Sequence, residues 1–355
     1  MEALGGATKR ALPPADYTVG WICVYTEDQM AARVFLDENH AIPDYLSPRD
    51  TNAYSLGKMG GHNIVIAGLP YGEYDVSSAV AVATDMLRSF PNIRIGLIVG
   101  IGGTAPSSKH NVRLGDVVVS APLDRIESGF PYMFGEGMQQ RMFDMTGSLI
   151  QQQTLVRTAV NRLKAYYQTR GHQIEENISS VLEKFPNLRQ MCRQPQSISN
   201  ELHKSTVNRL LCTEEDYTTS CGNDVWMLVS QPERTQIEDK TSVHYGLIAP
   251  KGQVLKDTIL QDRVIRDKDV LCLDTIAAGS MYCFPCLAIR GICDYSDSNK
   301  NGEWRDYAVM VAAACAKDLL NEISKQEIED EKRLVDVRSL KELIARSLEK
   351  YRDGR

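Results

Sequence analysis

The chain has 355 residues, 43% of them hydrophobic and 24% charged, with a formal net charge of −6. The apolar fraction excludes a fully disordered chain, and the acidic balance argues against general nucleic-acid binding, which needs a basic face. No apolar run is long enough for a membrane span, and the lead MEALGGATKRALPPADY lacks the apolar core of a signal peptide, so a soluble, cytoplasmic chain is expected, with neither membrane nor nucleic acid as partner.

In chain order, residues 1–16 read as a short disordered lead. Tyr17 to Val24 is nearly continuous in apolar character and predicts a buried strand. Asp28 to Asn39 predicts a short helix with Met30, Ala31, Val34 and Phe35 on one face. Asn52 to Lys58 and Asn63 to Leu69 predict two strands joined at Met59-Gly60-Gly61-His62. Tyr74 to Phe90 predicts a helix stopped by Pro91, and Ile93 to Val99 a second buried strand leaving through Gly100-Ile101-Gly102-Gly103. Val117 to Ala121 adds another strand. Leu149 to Gln168 and Ile174 to Phe185 read as helices, and the polar stretch 186–241 as an irregular surface insertion.

Order returns with strands at Ser242 to Ala249, Val270 to Asp274 and Cys286 to Cys293, the last two separated by an Ala/Gly-rich helix from Thr275 to Tyr282. Arg305 to Ser324 is a strongly apolar helix. In the tail, 325–355, Leu334, Val337, Leu340, Leu343, Ile344 and Leu348 keep a helical period and predict an amphipathic extension. Strands alternating with helices predict one α/β domain, 17–324, around a mixed sheet.

The nine cysteines are odd in number and irregular in spacing, which suits reduced, buried thiols. Cys283-Phe-Pro-Cys286 has no second metal-ligand pair, and the six histidines show no ligand spacing, so no metal site is expected.

Ligands in α/β proteins collect at the carboxyl ends of strands, and three such ends stand out. Val24-Tyr25-Thr26-Glu27-Asp28 opens a helix, where an acidic start is also ordinary capping chemistry. Val99-Gly100-Ile101-Gly102-Gly103-Thr104 would let backbone amides approach a ligand, although a tight turn explains it equally well. It is neither a Walker loop nor a dinucleotide fingerprint. Asp294 ends an apolar strand; a carboxylate there is costly to bury without hydrogen bonds, and it reads either as a general acid or as a cap of the next turn.

Taken in order, VGWICVYTEDQMAA, GHNIVIAGLPYGEYDVSSA, SFPNIRIGLIVGIGG, VRLGDVVVS, VHYGLIAPKGQVLKD, CLDTIAAG and FPCLAIRGICDYSDSNKNGEWRDYAVMVAAACAKDLL resemble the nucleoside phosphorylase superfamily. That superfamily includes purine and uridine phosphorylases and methylthioadenosine/S-adenosylhomocysteine nucleosidases. The resemblance is closest to its fungal branch and covers roughly Tyr17 to Leu320, apart from 186–241. It implies a mixed, partly barrel-like central sheet flanked by helices, and cleavage of the N-glycosidic bond of a purine nucleoside or thionucleoside. Asp294 then falls at the acid that protonates the leaving base, and Asp28 where hydrolytic members carry a water-activating Glu. Gly102, Gly103 and Thr104 fall at the strand exit whose backbone could help hold phosphate in phosphorolytic members. Gln253, Val254 and Leu255 hold the base, and Asp274, Thr275 and Ile276 occupy the ribose-binding segment. The resemblance also implies no cofactor beyond phosphate as co-substrate, a small-molecule substrate and a homo-oligomer. His62 is then either a turn histidine in water or a residue offered to a neighbouring subunit.

Two departures bear on the site, one on the ribose and one on the water. The pattern Glu-Met-Glu-Ala-Ala-Gly becomes Asp274-Thr275-Ile276-Ala277-Ala278-Gly279, and Ile276 cannot hydrogen-bond a ribose diol. Asp28 is one methylene shorter than Glu. Besides glycosidic cleavage, two alternatives follow: a scaffold recruited to acid-assisted cyclisation, elimination or isomerisation of a non-nucleoside in secondary metabolism, and a binding module without turnover.

Overall fold

The computed structural model describes residues 10–104, 110–120, 154–195, 202–203, 228–229, 241–249, 270–277, 280, 284–295 and 302–337. In chain order its elements are β1 (Val19–Cys23), α1 (Thr26–Val34), β2 (Glu38–His40), β3 (Tyr54–Met59), β4 (His62–Gly68), α2 (Val76–Ser89), β5 (Ile95–Gly103) and β6 (Val117–Ser120). Then come α3 (Thr154–Arg170), α4 (Ile174–Lys184), β7 (Leu202–His203), β8 (Leu228–Val229), β9 (Val243–Ala249), β10 (Val270–Leu273), β11 (Leu287–Asp294), α5 (Arg305–Asn321) and α6 (Lys325–Asp330).

The runs that are apolar on consecutive residues occupy the middle of the sheet, because a strand covered on both faces has no polar side to present. β1, β5 and β6 are buried along their whole length, and β11 up to its last residue. Nine strands form one mixed sheet in the order β10-β9-β6-β11-β5-β1-β4-β3-β2. β11, β5, β1 and β4 run parallel to one another. One further pair, Leu273 with Gly103, joins β10 back to β5, so the pairings of β5, β11, β6, β9 and β10 close into a ring. This is the expected α/β architecture, and the ring of pairings is where the sheet curls.

The helix expected over Asp28 to Asn39 ends earlier, at Val34, and Glu38–His40 turns back as an edge strand on β3. The β3–β4 hairpin forms as expected. Gly60 and Gly61 take its turn at φ of +57° and +87°, a region that side chains with a Cβ rarely adopt. The second buried strand runs on to Gly103, so the glycines expected to form a loop are strand residues paired with β11.

α5 packs on β5 and β11 and is buried nearly all round, from Tyr307 through Ala316. Small residues allow this close approach: a Cβ on Gly291 would lie 1.8 Å from the Ala308 carbonyl oxygen. His62 departs from both expectations made for it. Its side chain is buried against the end of α5, and Nε2 shares contacts with the carbonyls of Leu320 (3.2 Å) and Ile323 (2.9 Å). Carbonyls at a helix C-terminus lack intrahelical partners, and the imidazole supplies one. Burial holds His62 below the ordinary histidine pKa.

Within 186–241, a short 3₁₀ turn at Pro186–Leu188 follows α4, and β7 pairs antiparallel with β8. In the tail, α6 and residues 334–337 are helical, with Ile328 and Leu334 buried; the rest of the expected amphipathic run and residues 1–9 lie outside the described residues. The six described cysteines, Cys23, Cys192, Cys272, Cys286, Cys293 and Cys315, are buried free thiols. No described helix is long and apolar enough to cross a membrane.

Candidate active site

The carboxyl ends of β1, β5, β10 and β11 converge on one cavity of about 400 Å³. Parallel β1, β5 and β11 deliver their ends to the same side of the sheet by geometry alone, as parallel strands must. Val24, Tyr25 and Asp28 come from the first end, Ile101, Gly102 and Gly103 from the second, and Cys293 and Asp294 from the fourth. Leu273, Asp274, Thr275 and Ile276 line it from the third, and Gly302 and Arg305 from the start of α5.

Asp28 sits in the first turn of α1, where backbone amides are unpaired. Its Oδ2 accepts from the amides of Val24 (3.0 Å) and Tyr25 (2.9 Å). The capping reading is therefore right for one oxygen. The other, Oδ1, is buried with no partner among the described residues. Burial raises the carboxyl to about 6 from 3.8, against the two amides and the Arg290 charge, which pull it down. An acid poised near neutrality with one free oxygen on a cavity is a candidate general base.

Arg290 is the residue that the sequence reading passed over. It lies mid-strand in β11, fully buried, and its Nε donates to Asp274 Oδ2. Nη1 donates to the carbonyls of Ile98 (3.2 Å) and Ile289 (3.3 Å), while Nη2 has no partner among the described residues. A guanidinium inside a run such as LAIRGIC was itself the signal: a charge there demands a buried partner. Asp274 is that partner. Its Oδ1 is also engaged, by the amides of Ile276 (2.8 Å) and Ala277 (3.2 Å), where 275–277 begin a helical turn.

Ile276 is buried on the cavity wall and offers no hydrogen bond. Asp294 is half-buried at the end of β11, and the Cys293 thiol lies 3.6 Å from its Oδ2. Gly100 and Gly102 serve side chains. A Cβ at Gly100 would meet the Asp28 carboxylate at 2.6 Å, and one at Gly102 would meet Cys272 Sγ at 2.5 Å. Thr104 is buried off the cavity: its hydroxyl donates to the Leu271 carbonyl and its amide to the Asp294 carbonyl (2.9 Å), tying β5 to β10 and β11. Gln253, Val254 and Leu255 lie outside the described residues.

At the mouth, the Arg305 guanidinium lies 4.9 Å from the centre of the Tyr25 ring and 3.6 Å from Glu27. Tyr74 lies against the same ring, with centres 5.0 Å apart.

No family model matches the chain. It is 35% identical over 318 residues to a nucleotide-binding leucine-rich repeat (NLR)-like protein of Hyaloscypha variabilis, and the match takes in 90% of this chain. The chain spans 30% of that relative's length. Among solved structures it is similar to the 5'-methylthioadenosine/S-adenosylhomocysteine nucleosidase of Neisseria meningitidis, with 14% identity, a TM-score of 0.47, and coverage of 86% of this chain and 99% of that one. It is likewise similar to the futalosine hydrolase of Helicobacter pylori, with 13% identity, a TM-score of 0.47, and coverage of 87% and 99%.

Proposed function

We propose that the chain is a nucleosidase of the nucleoside phosphorylase superfamily, hydrolysing the N-glycosidic bond of a purine nucleoside or thionucleoside. The observation that carries this reading is the meeting of Asp28, with its unpartnered Oδ1, and Asp294 on one cavity. The sequence motifs supply the reaction class.

In this mechanism Asp28 is ionised and takes a proton from water through Oδ1. Arg290 Nη2, a second lining atom that is buried without a partner among the described residues, donates to the same water and holds its lone pair toward the sugar. Asp294 gives its proton to the base as the glycosidic bond breaks, so the base leaves neutral. The sugar becomes oxocarbenium-like, and the carboxylates of the cavity stabilise that charge.

Water rather than phosphate is the nucleophile of this reading because Asp28 offers a buried carboxylate oxygen to hold and deprotonate it. A homo-oligomer and a cytoplasmic location belong to this reading through the resemblance alone.

Ile276 favours a second reading. A cavity whose wall carries an aliphatic side chain beside an acid suits a recruited enzyme acting on a less polar molecule, by acid-assisted cyclisation, elimination or isomerisation.

The test is chromatography of reactions with methylthioadenosine, S-adenosylhomocysteine, adenosine, inosine, guanosine and uridine, each with and without phosphate. Free base without phosphate, lost in Asp294→Asn, is the expected result. Base released only with phosphate overturns the hydrolytic assignment, and no base from folded protein moves the assignment to the recruited scaffold.

A further inference from the structure

We propose that Arg305, Glu27 and Tyr25 form a latch across the mouth of the cavity, and that Arg305 is a positioning residue for Asp28. The consequence for catalysis rests on the hydrolytic reading above; the latch itself rests on contacts alone.

Arg305 is the first residue of α5, a helix locked against β5 and β11. Tyr25 and Glu27 belong to the segment that opens α1. The guanidinium therefore ties the first turn of α5 to the first turn of α1, two helices that pack on one another. It lies over the Tyr25 ring and beside the Glu27 carboxylate, and Tyr74 packs against the same ring. Each contact is weak alone, since Arg305 and Glu27 are more than a third exposed. Together they hold the Tyr25 ring against Arg305 and Tyr74.

The amide of that same residue donates to Asp28 Oδ2. When the segment shifts along with the ring, the amide shifts too, and Asp28 loses one of its two anchors. Arg305 does not work through its charge on Asp28. The charged groups that act on that carboxyl are Arg290 of β11 and Asp274 after β10. The thiols of Cys23 on β1 and Cys293 on β11, and the Tyr25 phenol, face it as well. Asp306, next along α5, faces Glu27.

The experiment uses the full chain and the variants Arg305→Gln, Arg305→Lys and Glu27→Gln. Hydrogen exchange of the peptide covering 24–28 is read first, with the β5 peptide as the control for folding. Arg305→Gln is expected to speed exchange at 24–28 about tenfold with β5 unchanged. Arg305→Lys falls between, because an ammonium keeps the ion pair and loses the planar stacking. Adenine release from methylthioadenosine is read second, as a function of pH. The latch predicts a kcat about 10- to 100-fold lower in Arg305→Gln, a KM within about twofold, and an acid limb moved to higher pH.

Unchanged exchange at 24–28 overturns the latch whatever the turnover. A raised KM with kcat intact overturns the positioning role and makes Arg305 a substrate contact. Faster exchange in a protein whose wild type releases no base supports the latch and removes the nucleosidase reading.

Discussion

Gly100 and Asp28 are fitted to one another: a Cβ on Gly100 would stand 2.6 Å from Asp28 Oδ2 and 2.8 Å from its carboxyl carbon. The carboxylate reaches the cavity only because β5 carries no side chain at that point. Gly100→Ala is therefore expected to displace Asp28 from the Val24 and Tyr25 amides. Base release should fall about 100-fold, with a stability loss of about 1–3 kcal/mol from overpacking. Steady-state kinetics and urea unfolding of the same preparation check both numbers.

Burial holds the Asp28 carboxyl at about 6, above its ordinary 3.8. The folded state thus holds a proton that the unfolded chain has released between about pH 4 and pH 6. Stability rises as pH falls through that window, and the buried charge exerts its full cost, about 3 kcal/mol at most, above pH 6. Asp28→Asn is expected to be the more stable protein at about pH 7.5, with the gap closing near pH 4, while losing turnover. Urea midpoints at the two pH values test it; a wild type more stable than the variant at the higher pH contradicts the assignment.

The Asp274–Arg290 pair predicts an asymmetric response. Arg290→Met leaves the partly buried Asp274 carboxylate without its cationic partner and should cost up to about 3 kcal/mol. The double variant Asp274→Asn with Arg290→Met removes both charges and should recover most of that loss. Turnover should not recover with it, since Nη2 is gone. A double-mutant cycle by urea denaturation measures the coupling.

Ile276→Glu places an acceptor on the cavity wall. Under the nucleosidase reading it should lower KM for ribonucleosides about 10- to 100-fold and leave 2',3'-dideoxynucleosides unchanged. Equal effects on both sugars would show that position 276 does not face the ribose.

Much of the framework was legible in the chain itself. The buried strands, the β3–β4 hairpin, α2 and α5 announce themselves because burial on both faces, a two-residue turn or a 3.6-residue stripe is written in neighbouring residues. The early end of α1 was not, because β2 exists only by pairing with β3. The Gly-rich run reads as a strand exit or turn but continues β5, for a related reason: Gly100 and Gly102 answer to Asp28 and Cys272, which lie far away in sequence and next door in space.

The site divides along the same line. Asp28, Asp274, Ile276 and Asp294 could be named from motif and strand end, and the sequence alone determined the class of fold and the carboxylates at its rim. Only the tertiary structure decided which oxygen of Asp28 is spent on capping and which is open, that Arg290 is sealed inside and shared with Asp274, and that Arg305 closes on Tyr25. Local pattern sets what a segment becomes, because the forces that shape helices and strands act between near neighbours. Charge state and orientation are set by desolvation and by partners from other strands, and those come together only when the sheet brings its carboxyl ends to one place.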